Sequence, residues 1–425
     1  MTTLLVVGLV LLLALNVPVA FAMIGVSLAY LVLKPDLPII VAAQQVAAGT
    51  DKFLLLAIPF FFLAAEFMSS GGIMRRLVEL SRALVGHLRG GLAQMNIVGS
   101  VFFAGISGSA VADAAGMGRM EIEIMRRGGY PHAFSAVVTA TSATIGPIIP
   151  PSIPLVVYGS IANVSVGKLF LAGVVPGFLM ALFLMVAVHW LSVKNGYPQD
   201  RWAGWRALGG NVFRSIPVLM LPLIILGGIF SGVFTATEAA IVAAVYAMLI
   251  GFAFRELAWS AVPGILVKVA CDTSRVMLIV AAAALYSWIM AREGVPAAIA
   301  AFFLSLGADA WTFLLIVNVM LLLLGCFMEP LPLMVIIVPT LLPVVHSLGI
   351  DVVHFGVVVT LNLMIGLVTP PVGLVMFVVM HITGLKLEEF TRALWPFLVA
   401  LLCALLVITY VPGIVLALPN FFFPS

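Results

Sequence analysis

Residues 146–152 read Gly-Pro-Ile-Ile-Pro-Pro-Ser, and residues 366–372 read Gly-Leu-Val-Thr-Pro-Pro-Val. Each septet interrupts a long apolar run, 133–163 and 354–383 respectively. Consecutive prolines cannot donate backbone hydrogen bonds, and the residue before a proline is pushed out of helical geometry. Both runs therefore predict a helix that breaks in its middle and leaves carbonyl groups without partners. Broken backbone at membrane depth survives only where protein or a water-filled cavity covers it.

The two septets are in register. A shift of 220 residues, without a gap, places Gly105 on Gly325, Gly129 on Gly349, Val137 and Val138 on Val357 and Val358, Ile145 and Gly146 on Ile365 and Gly366, and Pro150 and Pro151 on Pro370 and Pro371. Apolar segments match by chance, so the glycines and the Pro-Pro pairs carry the information. Ahead of each septet lies a second interrupted region. Region 91–127 contains Gly105-Ile-Ser107-Gly-Ser109, and region 310–348 contains Gly325-Cys-Phe-Met-Glu329-Pro-Leu-Pro332. Glycine and proline weaken the helix there. Each region predicts a re-entrant hairpin of two short helices meeting at a bent tip.

Composition sets the solvent. Of 425 residues 64% are hydrophobic and 9% charged, with a mean hydropathy of +1.26; soluble domains carry about 25% charged residues. A membrane helix needs roughly 20 apolar residues. The candidate spans are 3–33, 53–69, 133–163, 169–193, 216–234, 237–254, 276–291, 354–383 and 394–419. A stretch such as 3–33 would make about 46 Å of helix at ~1.5 Å per residue, so it must tilt or break. Met1-Thr2-Thr3 lacks the positive charge of a signal peptide, so 3–33 is expected to stay as a first span. Cys271, Cys326 and Cys403 are scattered through apolar runs and read as core residues rather than disulfide partners.

Charge fixes the expected sidedness. If both hairpins return to the side they entered from, Arg75, Arg76, Arg82, Arg89, Arg119, Arg126, Arg127, Lys194, Arg201, Arg206, Arg214, Arg255, Lys268, Arg275, Lys386 and Arg392 fall on one side. Only Lys34, Lys52, Lys168 and Arg292 fall on the other. Cytoplasmic loops carry such an excess of Lys and Arg. The path puts the amino terminus inside, the carboxyl terminus outside, and the two hairpins on opposite faces. The expected fold is an all-α membrane protein built as an inverted repeat, an architecture of secondary transporters. Segments 1–90 and 194–275 are expected to be scaffold. Segment 91–193 holds the first hairpin and first broken helix, and 276–425 holds the second pair and a final helix.

Free carbonyls and hydroxyls are ligands for a small hard cation. Thr369 adds a hydroxyl at the second break, and Ser107 and Ser109 add hydroxyls at the first tip, so each tip is expected to close a cation site against its own broken helix. No carboxylate pair clusters at either break, which favours sodium over a divalent ion. A plain proline kink would explain one such motif; two in register, each behind a hairpin, favour sites. Asp113 and Glu329 lie near the tips, where a carboxylate is costly and functional, although Asp113 could instead cap the returning helix. Either acid could take protons. Asn362 is placed to hydrogen-bond a substrate, while Asn96 and Asn318 could simply tie helices together. Glu238 reads as a helix cap. Trp202 and Trp205, with Arg201 and Arg206, read as an interfacial stretch, and Gly228 and Gly232 as a GxxxG packing pair. No Walker motif, HExxH or activated nucleophile is present in the sequence, and charged pore rings are missing. ATPase, enzyme and channel readings are set aside, and the small net charge of +3 gives no reason to invoke nucleic acid.

Gly105-Ile-Ser-Gly-Ser-Ala-Val-Ala-Asp113, the septet 146–152, Met328-Glu-Pro, and the run from Phe355 through Thr369-Pro-Pro371-Val-Gly373 resemble the large membrane subunit of tripartite ATP-independent periplasmic (TRAP) transporters, over essentially the whole chain. The resemblance implies a bacterial inner-membrane protein that works with a small four-helix membrane subunit, here a separate chain, and a periplasmic substrate-binding protein. It implies sodium-driven import of an organic acid, such as a C4-dicarboxylate or sialic acid, by an elevator movement. Carried onto this sequence, one sodium site would use Ser107, Ser109, Gly146, Ile149 and Pro151, the other Gly325, Gly366, Thr369 and Val372. Substrate would lie near Ser109, Asp113, Glu329 and Asn362. A standalone sodium- or proton-coupled dicarboxylate symporter of similar fold is the rival reading.

Overall fold

A computed structural model describes residues 2–15, 17–34, 36–69, 71–305, 307 and 309–423. Among the described residues the structure is helical, with no strand. Five helices are long and apolar enough to cross a bilayer: Val166–Asn195, Trp205–Phe230, Ala236–Ala253, Pro330–Ser347 and Leu387–Tyr410. Local sequence sets several of their starts. Ser165 accepts from the Lys168 amide, and Thr235 with Glu238 forms a reciprocal capping box, as expected for Glu238. Exposed Phe178, Leu182, Val186, Trp190 and Val193 form a stripe along Val166–Asn195 at three- and four-residue spacing. The opposite face buries Gly173, Pro176, Gly177 and Met180. Lipid replaces water as the solvent of the outer stripe, so packing need bury only one face.

Both interrupted regions fold as hairpins, but the returning limb of the first is divided at Gly116, and that of the second, Pro330–Ser347, is not short. The first hairpin consists of Gly91–Ser107, Ala110–Ala115 and Met117–Arg127; the second consists of Ala310–Gly325 and Pro330–Ser347. The first broken helix runs His132–Ala143 and Ile153–Ala162, and the second Val352–Gly366 and Leu374–Thr383. The first septet lies in its gap, the second starts on the last helical residue, Gly366, and fills most of its gap, and both Pro-Pro bonds are cis. The order of elements recurs beyond the hairpins. A bent pair, Ile40–Thr50 with Phe53–Met68 at 59°, and the arm helix Gly71–Val85 precede the first hairpin. Val262–Arg292 and the arm helix Val295–Ser305 precede the second, and a long helix follows each broken one.

Several expectations change. Residues 3–33 do not form one span. Thr2–Ala14 and Val19–Leu33 fold back on each other, with Gly8 against Val26 and Gly25 against Leu12. At 13 and 15 residues, about 20 and 22 Å, neither crosses a ~30 Å hydrocarbon core. Tyr286 Oη donates to the Leu5 carbonyl (3.4 Å) and Tyr30 Oη to Glu293 (2.6 Å). Both free ends of this hairpin thus lie toward the Arg292 end of Val262–Arg292. The span 276–291 is part of that 31-residue helix, and 394–419 divides at Val411. Cys271 and Cys403 are exposed, and only Cys326 is buried. Gly228 and Gly232 make no helix–helix contact: Gly228 faces Phe234, and Gly232 lies beyond the helix end at a φ of +72°.

Candidate functional site

The first hairpin tip sits against the first break. Gly108, at a φ of +57°, approaches the break so closely that a β-carbon on it would lie 2.4 Å from the Pro151 carbonyl oxygen. Only glycine combines that conformation with that contact. Gly146 faces the Ser109 carbonyl, 3.7 Å from where its β-carbon would stand. The Ser109 amide lies 3.4 Å from Ser107 Oγ. Ser109 Oγ accepts from the Ala112 amide, so Ser109, not Asp113, caps the returning helix. The Ser152 hydroxyl donates to the Pro147 carbonyl and fixes the loop internally. The carbonyls of Gly146, Ile149 and Pro151 accept no hydrogen bond among the described residues. From behind, helix Val166–Asn195 supports the break: Gly173 faces the Ile148 carbonyl and Gly177 the Ile149 side chain.

At the second break the glycines meet directly. A β-carbon on Gly366 would lie 2.6 Å from the Gly325 carbonyl carbon. The Gly373 amide donates to the Cys326 carbonyl at 3.2 Å, a second tie between tip and break. Thr369 Oγ1 donates to Ile365 O at 2.7 Å, leaving its lone pairs available as acceptors. The carbonyls of Gly325 and Val372 accept no hydrogen bond among the described residues, whereas Gly366 O accepts the Thr369 amide. Val372 is 42% exposed, so this site is the more open of the two. Unpaired carbonyls occur at both breaks, with the hydroxyls of Ser107 and Ser109 on the first tip and that of Thr369 in the second break; carbonyl and hydroxyl oxygens are ligands that a hard cation takes.

A cleft of about 260 Å³ lies between the two tips and breaks. Its lining includes Gly108, Ser109, Ala110, Pro147 and Ile153 from the first repeat, Glu329, Pro330, Met364, Leu367 and Leu374 from the second, and Phe62 from the bent pair. The structure thus brings Ser109 and Glu329 together at one opening. Asp113 and Asn362 do not line it. Asn362 is fully buried; its amide donates to Asn318 Oδ1 (2.7 Å) and Val358 O (2.8 Å), and Asn318 donates to Thr409 (3.1 Å). In the first repeat Asn96 donates to Thr139 (2.7 Å) and accepts from Ser142 (2.6 Å). Ser142 stands 220 positions before Asn362, so both repeats tie the entering hairpin limb to the same place on the broken helix.

Asp113 is buried in the first hairpin beside Ser100, and its Oδ2 has no hydrogen-bond partner among the described residues. Glu121 lies in the same hairpin and was not singled out from sequence. It is 1% exposed, and neither of its oxygens has a partner among the described residues. The signal was present: Met117, Glu121 and Met125 recur at four-residue spacing and form one buried face. Sequence reasoning also missed Phe62 and the Gly173–Gly177 cradle.

Two re-entrant hairpins, each closed on a broken helix around a shared cleft, define a helical membrane transporter. The profile described as "Tripartite ATP-independent periplasmic transporter, DctM component" matches residues 6–414. The chain belongs to this family; it is a transporter permease, not an enzyme. It is 42% identical over 408 residues to the sialic acid TRAP transporter large permease protein of Vibrio cholerae, covering 96% of each chain. It is 42% identical over 395 residues to the C4-dicarboxylate TRAP transporter large permease protein of Pseudomonas aeruginosa, covering 93% of this chain and 92% of that one. Among solved structures, the YdaH transporter of Alcanivorax borkumensis has a similar fold (TM-score 0.61, 13% identity, 87% of each chain). So does the Neisseria gonorrhoeae protein MtrF (TM-score 0.55, 12% identity, 86% of this chain and 82% of that one).

Proposed function

We propose that this chain is the large permease of a sodium-coupled importer of a carboxylate-containing solute in a bacterial inner membrane. A periplasmic binding protein delivers the solute, and a small membrane subunit completes the scaffold. The observation that carries the reading is the pairing of each hairpin tip with its own broken helix, with unpaired carbonyls and hydroxyl oxygens at both contacts. Ser107, Ser109, Gly146, Ile149 and Pro151 would hold one sodium ion; Gly325, Thr369 and Val372, with Gly366 shaping the contact, would hold another. A bound cation at each break neutralises the negative ends of carbonyl dipoles and offers an anionic solute a favourable field. Ser109 and the helix start at Pro330 face the cleft, where a carboxylate would be received. Glu329 at its mouth would meet the solute's non-carboxylate end. Relatives named for sialic acid and C4-dicarboxylates support an organic acid as the cargo.

On this reading the hairpins and broken helices move as one body against the bent pair, Val262–Arg292 and the small subunit. The basic loops are cytoplasmic, and Lys34 lies on the periplasmic side. The test is uptake into proteoliposomes holding the chain and its small partner, with binding protein and labelled solute outside. Uptake driven by an inward sodium gradient and requiring the binding protein supports the proposal. Uptake of free solute without the binding protein would instead favour a standalone symporter.

A further inference from the structure

Glu121 is sealed inside the first hairpin with 1% of its surface exposed. Its Oε1 stands against Gly99: a β-carbon there would fall 2.6 Å from that oxygen and 3.0 Å from the Met117 methyl. Neither carboxyl oxygen receives a hydrogen bond among the described residues. The hydroxyls and amides in the neighbouring core are committed to one another. Asn96 holds Thr139 and Ser142, Ser100 lies 3.1 Å from Ser142, and Thr139 donates to Ser135 O. An ionised carboxylate in such a place is shut off from bulk solvent and has neither donor nor counter-charge among the described residues, which is the most costly state open to it.

The elements packed on Met117–Arg127 offer no cation to pair with it. Gly91–Ser107 carries no ionisable side chain. His132–Ala143 carries only His132, its first residue, with Nε2 2.9 Å from the Thr383 carbonyl. Ala110–Ala115 carries Asp113, itself acidic. On its own helix Arg119, Arg126 and Arg127 are exposed, and Glu123 pairs with Arg126 and Arg127. A metal ion would need several oxygen ligands, and no group of three or more His, Cys, Asp or Glu side chains gathers to hold one among the described residues.

We infer that Glu121 is a proton-binding site of the first hairpin, carrying a neutral carboxylic acid at physiological pH and releasing the proton only when water enters the seam between Gly91–Ser107 and Met117–Arg127. This site is separate from the cleft and from both tip–break contacts, and it does not depend on which solute is carried. It makes opening of the hairpin seam sensitive to alkaline pH.

Infrared difference spectroscopy on the full chain with its small partner, wild type against Glu121→Gln, tests this at neutral pH. A protonated-carboxyl carbonyl band present in wild type, absent in Glu121→Gln and retained in Asp113→Asn is the expected result. A wild type without that band, or a band unchanged in Glu121→Gln, overturns the assignment. Hydrogen exchange across Gly91–Ser107 gives a second readout. Exchange there should accelerate severalfold as pH rises in wild type, beyond the intrinsic base catalysis, and lose that excess in Glu121→Gln. An equal excess in both proteins contradicts a proton at Glu121.

Discussion

Gly366 stands so close to Gly325 that a single added methyl would sit 2.6 Å from the Gly325 carbonyl carbon. The contact is backbone against backbone, so no side chain can yield. Gly366→Ala must separate the second tip from the second break. Overpacking of this kind costs about 1–3 kcal/mol, and thermal unfolding in detergent should register it. Gly209→Ala is the matched control, because nothing lies within 4 Å of its added methyl. In that exposed helix it should stabilise by up to ~1 kcal/mol. Equal melting of the two variants would mean that the tip and break are not in contact.

The buried amide chain from Asn362 through Asn318 to Thr409 ties the second broken helix to the entering hairpin limb and to helix Leu387–Tyr410. Asn318→Ala removes the acceptor for Asn362 and the donor for Thr409. Buried groups left unpaired cost about 1–3 kcal/mol each. A double-mutant cycle with Thr409→Val should show coupling of at least ~0.5 kcal/mol. Strict additivity would contradict the hydrogen bond.

Lys34 donates to Glu293 at 2.6 Å, beside Tyr30, and clamps the amino-terminal hairpin to the end of Val262–Arg292. The hydrogen bond from Lys34, then that from Tyr30, holds the Glu293 carboxyl below the usual carboxylate range. A depressed folded-state value stabilises fully above the ordinary carboxylate pKa and is lost as pH falls through that range and below. Lys34 is raised by the same contacts, so its contribution is lost only in strong alkali. Wild type should therefore lose melting temperature between about pH 5 and 3, and Glu293→Gln should lose less over that interval. Parallel curves would show that the clamp contributes nothing in solution.

Much of this architecture was legible in the chain because its signals are backbone signals. Gly105, Gly325 and the paired Pro-Pro septets announce breaks wherever they occur, and a 220-residue register needs no knowledge of packing. What escaped depends on packing. Residues 3–33 carry enough apolar length for one crossing, and only the fold shows them reversed into a hairpin. Gly228 and Gly232 have GxxxG spacing, but the helix ends between them. Gly173 and Gly177 have the same spacing and cradle Ile148 and Ile149. Spacing alone cannot say which pair a neighbour approaches. Asn362 has the chemistry to meet a solute, yet its donors are taken by Asn318 and Val358. In sequence Glu121 is one charge among Arg119, Glu123, Arg126 and Arg127; burial sets it apart.

The proposed transport cycle depends on the two tip–break contacts holding sodium. Thermal unfolding of the chain with its small partner, in sodium and in potassium at equal ionic strength, measures this directly. Sodium at about a hundredfold excess over its dissociation constant should stabilise by about 2.7 kcal/mol per site. The shift should fall in Thr369→Val and in Ser109→Ala, each of which removes one hydroxyl ligand from a different break. Identical melting in the two salts, up to the highest sodium concentrations tested, would contradict the account and leave the two septets as plain kinks.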